Sequence, residues 1–187
     1  LLDNIFSEKE LFFIYKEIIH ASSWSVGGKS EEIEYPSNKQ FSGAPLFRIK
    51  FNDDILNYPM YLYVQSLVFR MAEMLNKKNI GLHTNIKRSW FNLTYEGSPN
   101  QWLHQDTQDN ATQTAILFMT PVWQDVWKGS FHVDGEEFKF KPGSAVIFNS
   151  NEFHTGETPE SQTQNWQRLT LNILLKSDFF ICFNFEK

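Results

Sequence analysis

The sequence is poor in the features that mark secreted, disulfide-bonded or membrane proteins. Its only cysteine is Cys182, which excludes an intramolecular disulfide and a cysteine-rich zinc cluster, so we expect a small core residue there. No apolar run approaches the length needed to span a bilayer. Residues 1–4 lack the basic and apolar succession of a secretory signal. These absences predict a soluble, cytoplasmic protein with no membrane partner.

Positive charge and linker composition are also scarce. The 187 residues include 17 Lys and Arg against 22 Asp and Glu, a net charge of -5. Non-specific nucleic-acid binding needs a basic surplus, so no nucleic-acid partner is expected. No Pro/Gly/Ser-rich stretch divides the chain, which predicts a single domain over 1–187, with helical support at about 1–85 and a β core at about 86–176. The oligomeric state is left open.

Helical periodicity is confined to the first part of the chain. Ser7 and Glu10 form a capping box before apolar residues at helical spacing, which predicts a helix over 7–20. A second helix is predicted from Pro59 to just before Gly81, where an apolar stripe contains methionines that we interpret as core filling. Residues 22–54 are rich in turn formers and predict loops with one or two short strands.

From residue 86 onward the apolar period changes to two. Turns are predicted at Asp134-Gly135 and at Lys141-Pro142-Gly143. Short strands at regular spacing are typical of antiparallel sandwiches and barrels, so we expect a mainly β fold, a jelly-roll (double-stranded β-helix) barrel covered by the two N-terminal helices. The predicted strands are 90–95, 101–106, 114–119, 129–133, 137–140, 145–148 and 168–175.

Three separated residues have the chemistry of metal ligands. In an extended segment His104 and Asp106 point to the same face, while Gln105 points away. A third ligand must come from elsewhere in the chain, and His154 is the candidate. Three ligands on one side of an ion leave the other side open for substrates, as in non-haem Fe(II) oxygenases. We interpret the other histidines as structural.

The last predicted strand divides its side chains by polarity. Arg168, Thr170 and Asn172 share one face, and aliphatic residues occupy the other. We expect the aliphatic face to pack against the helices and the polar face to line the barrel. An interior arginine is costly unless its charge is paired, and its planar fork matches a carboxylate. The strand therefore predicts an anionic ligand.

Taken in order, these residues resemble a known pattern. His104-Gln105-Asp106, then His154, Arg168 and Thr170, are similar to the His-X-Asp…His…Arg-X-Ser/Thr pattern of the Fe(II)- and 2-oxoglutarate-dependent oxygenases. The resemblance covers about residues 88–175 and favours the prolyl 4-hydroxylase-like branch. Further residues that carry it are Tyr95, Gly97, Thr114, Trp123, Gly129-Ser130 and Pro142-Gly143.

The resemblance implies a metal centre and a reaction. His104, Asp106 and His154 would bind Fe(II), with dioxygen as co-reactant and ascorbate as a candidate reductant. The implied reaction is hydroxylation of a C–H bond with release of succinate and carbon dioxide. A carboxylate at Asp106 favours hydroxylation over halogenation, in which a halide takes the place of that ligand.

The resemblance also implies how 2-oxoglutarate binds. Arg168 would pair with its distal carboxylate, Thr170 would hydrogen-bond it, and Tyr95 would reach it too. Two departures from the branch are visible. Many prolyl 4-hydroxylases have lysine at the Arg168 position, and Phe118 falls about where some relatives have a tyrosine hydroxyl on the cosubstrate.

Three functional classes follow from this reading. The first is an oxygenase for a protein or peptide, and the second an oxygenase for a free amino acid or other small molecule. The third is a non-catalytic, cupin-like binding module, although the usual cupin ligand spacing is absent. Trp102, Trp123 and Trp127 are predicted near the barrel mouth, where they either bind substrate or serve as packing.

Overall fold

A computed structural model describes residues 1–20, 25–26, 47–51, 58–94, 96, 101–160 and 166–177. Both predicted helices are present: α1 spans Glu8–Ile19 and α2 spans Tyr58–Asn76. The hydroxyl of Ser7 accepts the Glu10 N–H, and the Glu10 carboxylate accepts the Ser7 N–H, so the predicted capping box is confirmed. Neither helix combines the length and apolar character that a membrane crossing requires, within the residues described.

Nine strands of the described chain form two antiparallel sheets. The larger sheet has the order β1-β2-β3-β9-β4-β7 and the smaller has the order β6-β5-β8. A mainly β fold with two helices is therefore confirmed. The strands are β1 Ser25–Val26, β2 Phe47–Phe51, β3 Asn85–Thr94, β4 Thr112–Phe118, β5 Phe131–Val133, β6 Glu136–Phe138, β7 Ala145–Asn149, β8 His154–Gly156 and β9 Arg168–Lys176. A short 3-10 helix lies at Asp125–Trp127.

Both predicted turns are confirmed by their backbone angles. Asp134 and Gly135 join β5 to β6 with φ of 48° and 80°, the two left-handed positions of a type I′ hairpin turn. In the second turn the Ser144 N–H donates to the Lys141 carbonyl at 3.1 Å, and Gly143 has a φ of 74°. Proline followed by a left-handed glycine is the sequence that a type II turn requires.

The main core lies between the helices and the aliphatic face of β9. Leu169, Leu171 and Ile173 are fully buried, and they belong to one cluster with side chains of α1 and α2. Met71 is part of that cluster, in agreement with the interpretation of the methionines as core residues. This packing fixes which face of β9 looks away from the helices. The helix residues in the cluster include Leu11, Ile14, Ile18, Val64, Leu67 and Val68.

The predicted strand at 101–106 is wrong. The segment forms no regular ladder, and its one β-bridge joins His104 to His154. The Asp106 N–H donates to the carbonyl of Ser150, because the facing chain turns at 150–152 before it reaches β8. A partner that turns cannot continue a regular ladder, so the segment stays extended without becoming a strand.

Some predictions fall outside the described residues. They include the roles of Tyr95, Gly97 and Cys182, and most of the segment 22–54. Within that segment, β1 and β2 agree with the expected one or two short strands.

Candidate metal and anion site

Two histidines that are far apart in sequence are joined by their own backbones. The His104 N–H donates to the His154 carbonyl at 3.0 Å, and the His154 N–H donates back to the His104 carbonyl at 2.9 Å. Residues paired in this way present their side chains to the same face. The two imidazole centroids lie 4.3 Å apart. Gln105 points elsewhere, as predicted, and its side-chain amide donates to the Asn151 carbonyl.

Each imidazole is oriented by a backbone carbonyl. Nδ1 of His104 donates to the Trp102 carbonyl at 2.6 Å, and Nδ1 of His154 donates to the Glu152 carbonyl at 3.0 Å. A neutral imidazole with its proton on Nδ1 has its lone pair on Nε2. Metal-binding histidines are commonly oriented through such a bond to the other ring nitrogen.

Asp106 completes the cluster. Its Oδ2 lies 3.7 Å from Nε2 of His154. One ligand atom from each of His104, Asp106 and His154 lies within 4.8 Å of the others. Two imidazoles and one carboxylate are the donor set of the 2-His-1-carboxylate facial triad, which binds Fe(II) and leaves coordination positions open. The residues present therefore fit that metal.

A hydroxyl relay holds the carboxylate. Thr114 donates from Oγ1 to Oδ2 of Asp106 at 2.7 Å, and Oγ1 of Thr114 lies 2.8 Å from Oγ of Ser150. Thr114 and Ser150 are both fully buried. In the sequence, Thr114 was noted only through the family resemblance, and its contact with Asp106 was not predicted. Thr114 lies in β4 while Asp106 lies outside the sheet, so no strand periodicity relates the two residues.

Burial sets the protonation state of His154. Its side chain is almost fully enclosed, which lowers the pKa of the imidazole; the Asp106 carboxylate opposes that shift and His104 adds to it. The net effect favours the neutral ring, which is the form that binds a metal.

Arg168 is a buried cation on the face of β9 that points away from the helices. It is 2% exposed, its Nε donates to the Gly129 carbonyl at 2.8 Å, and its guanidinium lies 5.5 Å from the Phe140 ring centroid. Burial lowers the pKa of Arg168 to about 10, while the charge of Glu157 raises it. No ion pair of Arg168 occurs within the described residues, so the cation suits an anionic ligand.

Gly156 lies between Arg168 and the cluster of His104, Asp106 and His154. A Cβ on Gly156 would lie 3.4 Å from Nη2 of Arg168 and 3.1 Å from Oε1 of Gln101. Gly156 is two residues after His154 in β8, and a strand advances roughly 3.3 Å per residue. A short dicarboxylate with one end at the His154 cluster and the other at Arg168 fits that separation. The sequence carried no sign of this role for Gly156.

Thr170 and Phe118 lie beside the arginine. Thr170 is two residues from Arg168 on the same face of β9 and pairs with Phe118 of β4. Its Oγ1 accepts a hydrogen bond from Nδ2 of Asn172 at 3.2 Å. Phe118 is fully buried and stacks on Phe140 at 4.6 Å, so this position offers a ring surface without a hydroxyl.

The three predicted mouth tryptophans have different environments in the structure. Trp102 is 56% exposed, immediately before the ligand segment. Trp123 instead packs against Trp127, with ring centroids 5.5 Å apart, and Trp127 is buried. Trp123 also reaches the Arg168 region, because its ring would lie 3.0 Å from a Cβ on Gly129. Packing is therefore the observed role of Trp127, and Trp102 is the one at the surface.

Comparison with known proteins identifies the fold. No protein-family model matches the chain. No curated protein matches it in sequence either. Among solved structures, the chain is similar to a prolyl-4-hydroxylase of Pseudomonas putida, with a TM-score of 0.61, 14% identity and coverage of 93% of this chain and 90% of that one. It is also similar to a prolyl hydroxylase of Trichoplax adhaerens solved with a hypoxia inducible factor peptide fragment, with a TM-score of 0.59, 13% identity and coverage of 94% and 82%.

A third similar structure has a different activity. It is SnoK, a non-heme alpha ketoglutarate dependent carbocyclase from nogalamycin biosynthesis, with a TM-score of 0.58, 11% identity and coverage of 94% of this chain and 78% of that one. The chain thus has the jelly-roll fold of the non-haem, 2-oxoglutarate-dependent oxygenase superfamily. Prolyl hydroxylases and an enzyme of a different activity share this fold, so the likeness shows the jelly roll that was predicted from the sequence.

Proposed function

We propose that this chain, as a single domain over 1–187, is an Fe(II)- and 2-oxoglutarate-dependent oxygenase that hydroxylates a C–H bond. One observation carries the proposal: His104, Asp106 and His154 form a 2-His-1-carboxylate cluster, and the buried Arg168 approaches Gly156, which lies two residues after His154 in β8. A non-catalytic, cupin-like binding module is a further alternative, and binding of 2-oxoglutarate would separate an oxygenase from it.

The residues have distinct roles in this proposal. His104, Asp106 and His154 hold the metal, and the carbonyls of Trp102 and Glu152 keep the Nε2 atoms of the two rings available for it. When bound, the iron and 2-oxoglutarate, together with dioxygen, supply the oxidising chemistry, with succinate and carbon dioxide as co-products. Ascorbate is the proposed reductant that keeps the iron ferrous.

In this proposal the cosubstrate binds in the anion pocket, the site formed by Arg168, Thr170, Phe118 and Phe140. Arg168 pairs with the distal carboxylate of 2-oxoglutarate through its guanidinium fork, and Thr170 donates its hydroxyl to that carboxylate. The rings of Phe118 and Phe140 wall the pocket and exclude water, which strengthens the ion pair. Tyr95 remains a predicted third contact, since it lies outside the described residues.

For the substrate we propose a protein or peptide, in the manner of a prolyl hydroxylase. The support is the fold likeness to two prolyl hydroxylases, one of them solved with a peptide fragment. Exposed apolar side chains precede the two histidines in the sequence, namely Trp102 at 56%, Leu103 at 58% and Phe153 at 53% exposure, and exposed apolar surface of this kind suits a polypeptide. The alternative is a small-molecule substrate, which the likeness to a carbocyclase of nogalamycin biosynthesis favours.

An anaerobic titration tests the proposal. Metal-free protein receives Fe(II) and then 2-oxoglutarate, and the visible charge-transfer band of the iron chelate is followed. We expect a saturable band in the natural protein, its loss in His154→Ala and a much weaker titration in Arg168→Ala. Arg70→Ala is the matched control, because Arg70 is an arginine that pairs with Glu10 on the helical side.

If folded natural protein gives no band, the oxygenase proposal is wrong. If the band is present, succinate release is then measured with proline-containing peptides and with free amino acids. Release stimulated only by free amino acids would replace the peptide substrate with the small-molecule alternative.

A further inference from the structure

We propose that Glu157 is a positioning residue that aims Arg168 at the distal carboxylate of the cosubstrate, acting through the Gly129–Ser130 peptide group. This inference rests on the proposed function and assigns a role to a residue that is neither one of the proposed metal ligands nor one of the proposed cosubstrate contacts.

The peptide group between Gly129 and Ser130 is held from both ends. Its carbonyl accepts the Nε–H of Arg168 at 2.8 Å, and its N–H donates to Oε2 of Glu157 at 3.2 Å. Because a peptide group is planar, fixing the direction of the N–H also fixes the opposite direction of the C=O. Glu157 therefore controls where the carbonyl that holds Arg168 points. Hydrogen bonds in such a chain also polarise one another.

The backbone before this peptide needs to be held. Lys128 and Gly129 have φ of 54° and 82°, and a sparsely populated backbone conformation of this kind at a residue other than glycine costs roughly 1–3 kcal/mol. Nε1 of Trp123 donates to the Lys128 carbonyl at 2.8 Å and holds one side of the turn. Glu157 holds the other side. A Cβ on Gly129 would lie 3.2 Å from Cδ of Arg168, so the turn and the arginine are in direct contact.

Glu157 is itself anchored to the smaller sheet. Its backbone N–H donates to the Ser130 carbonyl at 2.9 Å, and its Oε1 lies 3.0 Å from Nε2 of His132. The Ser130 N–H and the His132 ring therefore hold the Glu157 carboxylate in one position. Arg168 belongs to the larger sheet, so this chain of hydrogen bonds joins the two sheets at the anion pocket.

The arrangement decides which edge of the guanidinium is available. The Nε–H is used by the Gly129 carbonyl, which leaves the edge formed by Nη1 and Nη2 for a carboxylate. The charge of Glu157 also raises the pKa of Arg168 against the effect of burial. Glu157 thus orients the cation and favours its charged form, while the peptide group stands between the two side chains.

The experiment compares two oxo acids in the Fe(II)-loaded, oxygen-free protein. 2-Oxoglutarate has the distal carboxylate that Arg168 would bind, and pyruvate lacks it. For Glu157→Ala we expect the Kd of 2-oxoglutarate to rise about tenfold, the consequence of misplacing one charge-assisted hydrogen-bonding group. The Kd of pyruvate should stay unchanged. Glu157→Gln keeps an acceptor for the Ser130 N–H, so its Kd for 2-oxoglutarate should stay within about threefold.

Glu137→Ala is the matched control. Glu137 accepts from the Ser130 hydroxyl at 2.7 Å and leaves the peptide N–H untouched, so both oxo acids should bind as in the natural protein. A second readout needs no metal: hydrogen exchange of the Arg168 Nε–H in the ¹⁵N-labelled apoprotein. Exchange should be faster in Glu157→Ala than in Glu137→Ala, because the Gly129 carbonyl is no longer held.

The outcomes separate the two proposals. No binding of 2-oxoglutarate by the natural protein means that the proposed function fails. Normal binding with an unaffected Glu157→Ala overturns the positioning role alone. Equal weakening of 2-oxoglutarate and pyruvate would show a general structural defect and also overturns it, as would Glu157→Gln being as weak as Glu157→Ala.

Discussion

The two faces of the larger sheet differ in what stabilises them, apolar packing on one and polar contacts on the other, and β9 contributes to both. On the helix-covered face, Leu169, Leu171 and Ile173 are buried among other aliphatic side chains. On the site face, Arg168, Thr170 and Asn172 are just as buried, but each depends on polar partners. Aliphatic packing tolerates change in proportion to volume, whereas a polar site depends on individual partners. Substitutions on the two faces should therefore alter different quantities.

The largest effect is expected on the helix-covered face. Leu171→Ala should lower the free energy of unfolding of the apoprotein by about 3 kcal/mol, the sum of lost apolar transfer and a cavity. Urea denaturation measures it, and Leu171→Met, which keeps the volume, should cost less than about 1.5 kcal/mol. The 2-oxoglutarate affinity of the folded protein should be unchanged. A comparable loss of affinity would mean that the two faces are not separable.

Arg168→Ala should weaken the binding of 2-oxoglutarate without lowering stability, the reverse of Leu171→Ala. We expect the Kd of 2-oxoglutarate to rise by about a hundredfold, since a buried charge-assisted pair contributes about 2–5 kcal/mol. The unfolding free energy of the apoprotein should stay the same or increase, because a buried cation without an ion pair is unfavourable in the absence of ligand. Calorimetric titration and urea denaturation of the same sample provide the two numbers. A stability loss as large as that of Leu171→Ala would contradict the separation.

Thr170→Val tests a neutral partner on the site face. The substitution keeps the shape and removes the hydroxyl, so the Kd of 2-oxoglutarate should rise about fivefold, equivalent to one hydrogen bond of about 1 kcal/mol. The Nδ2 of Asn172 loses its acceptor in the same variant, and the apoprotein should lose stability by about as much. An unchanged Kd would remove Thr170 from the anion pocket.

The smallest effect is a pH dependence on the helical side. Burial raises the pKa of the Glu10 carboxyl, but the hydrogen bond and charge of Arg70, with bonds from Tyr63 and Ser7, outweigh it and hold the pKa below the ordinary 4.5. The resulting stability is present above pH 4.5 and is lost as the pH falls through the lower, folded-state pKa. Glu10→Gln should cost about 0.5 kcal/mol at pH 7.

That cost should disappear under acidic conditions. Urea denaturation at a series of pH values checks it, since the curves of Glu10→Gln and the natural protein converge once Glu10 is protonated. Affinity for 2-oxoglutarate at pH 7 should be the same in both. A cost that persists at low pH would assign the effect to packing of the side chain instead of its charge.

The sequence was most informative where function and periodicity coincide. Two residues of separation were enough to predict that His104 and Asp106 share a side, and that Arg168 and Thr170 share a face of a strand. The aliphatic alternation of β9 predicted which face the helices cover. In both cases a local rule fixes the direction of each side chain, so no knowledge of the tertiary structure was needed.

Contacts that depend on register could not be predicted in the same way. Glu157 meets Ser130 only because Gly156 pairs with Phe131 across β5 and β8. The predicted strand at 101–106 failed because its partner turns at 150–152, which is a property of another segment. Thr114 approaches Asp106 across an irregular part of the chain. Each of these contacts requires the pairing of segments whose alignment no local pattern specifies.

The reciprocal backbone hydrogen bonds between His104 and His154 make the proposed metal site a preorganised one. Bringing together two segments so far apart in sequence has an entropic cost that grows with loop length. Here the two segments are already brought together when the chain folds, before any ion binds. An arriving ion has only side-chain rotations left to order. The ion should therefore leave and return without unfolding the chain, unlike the metal of small zinc domains, which fold only when metal is bound.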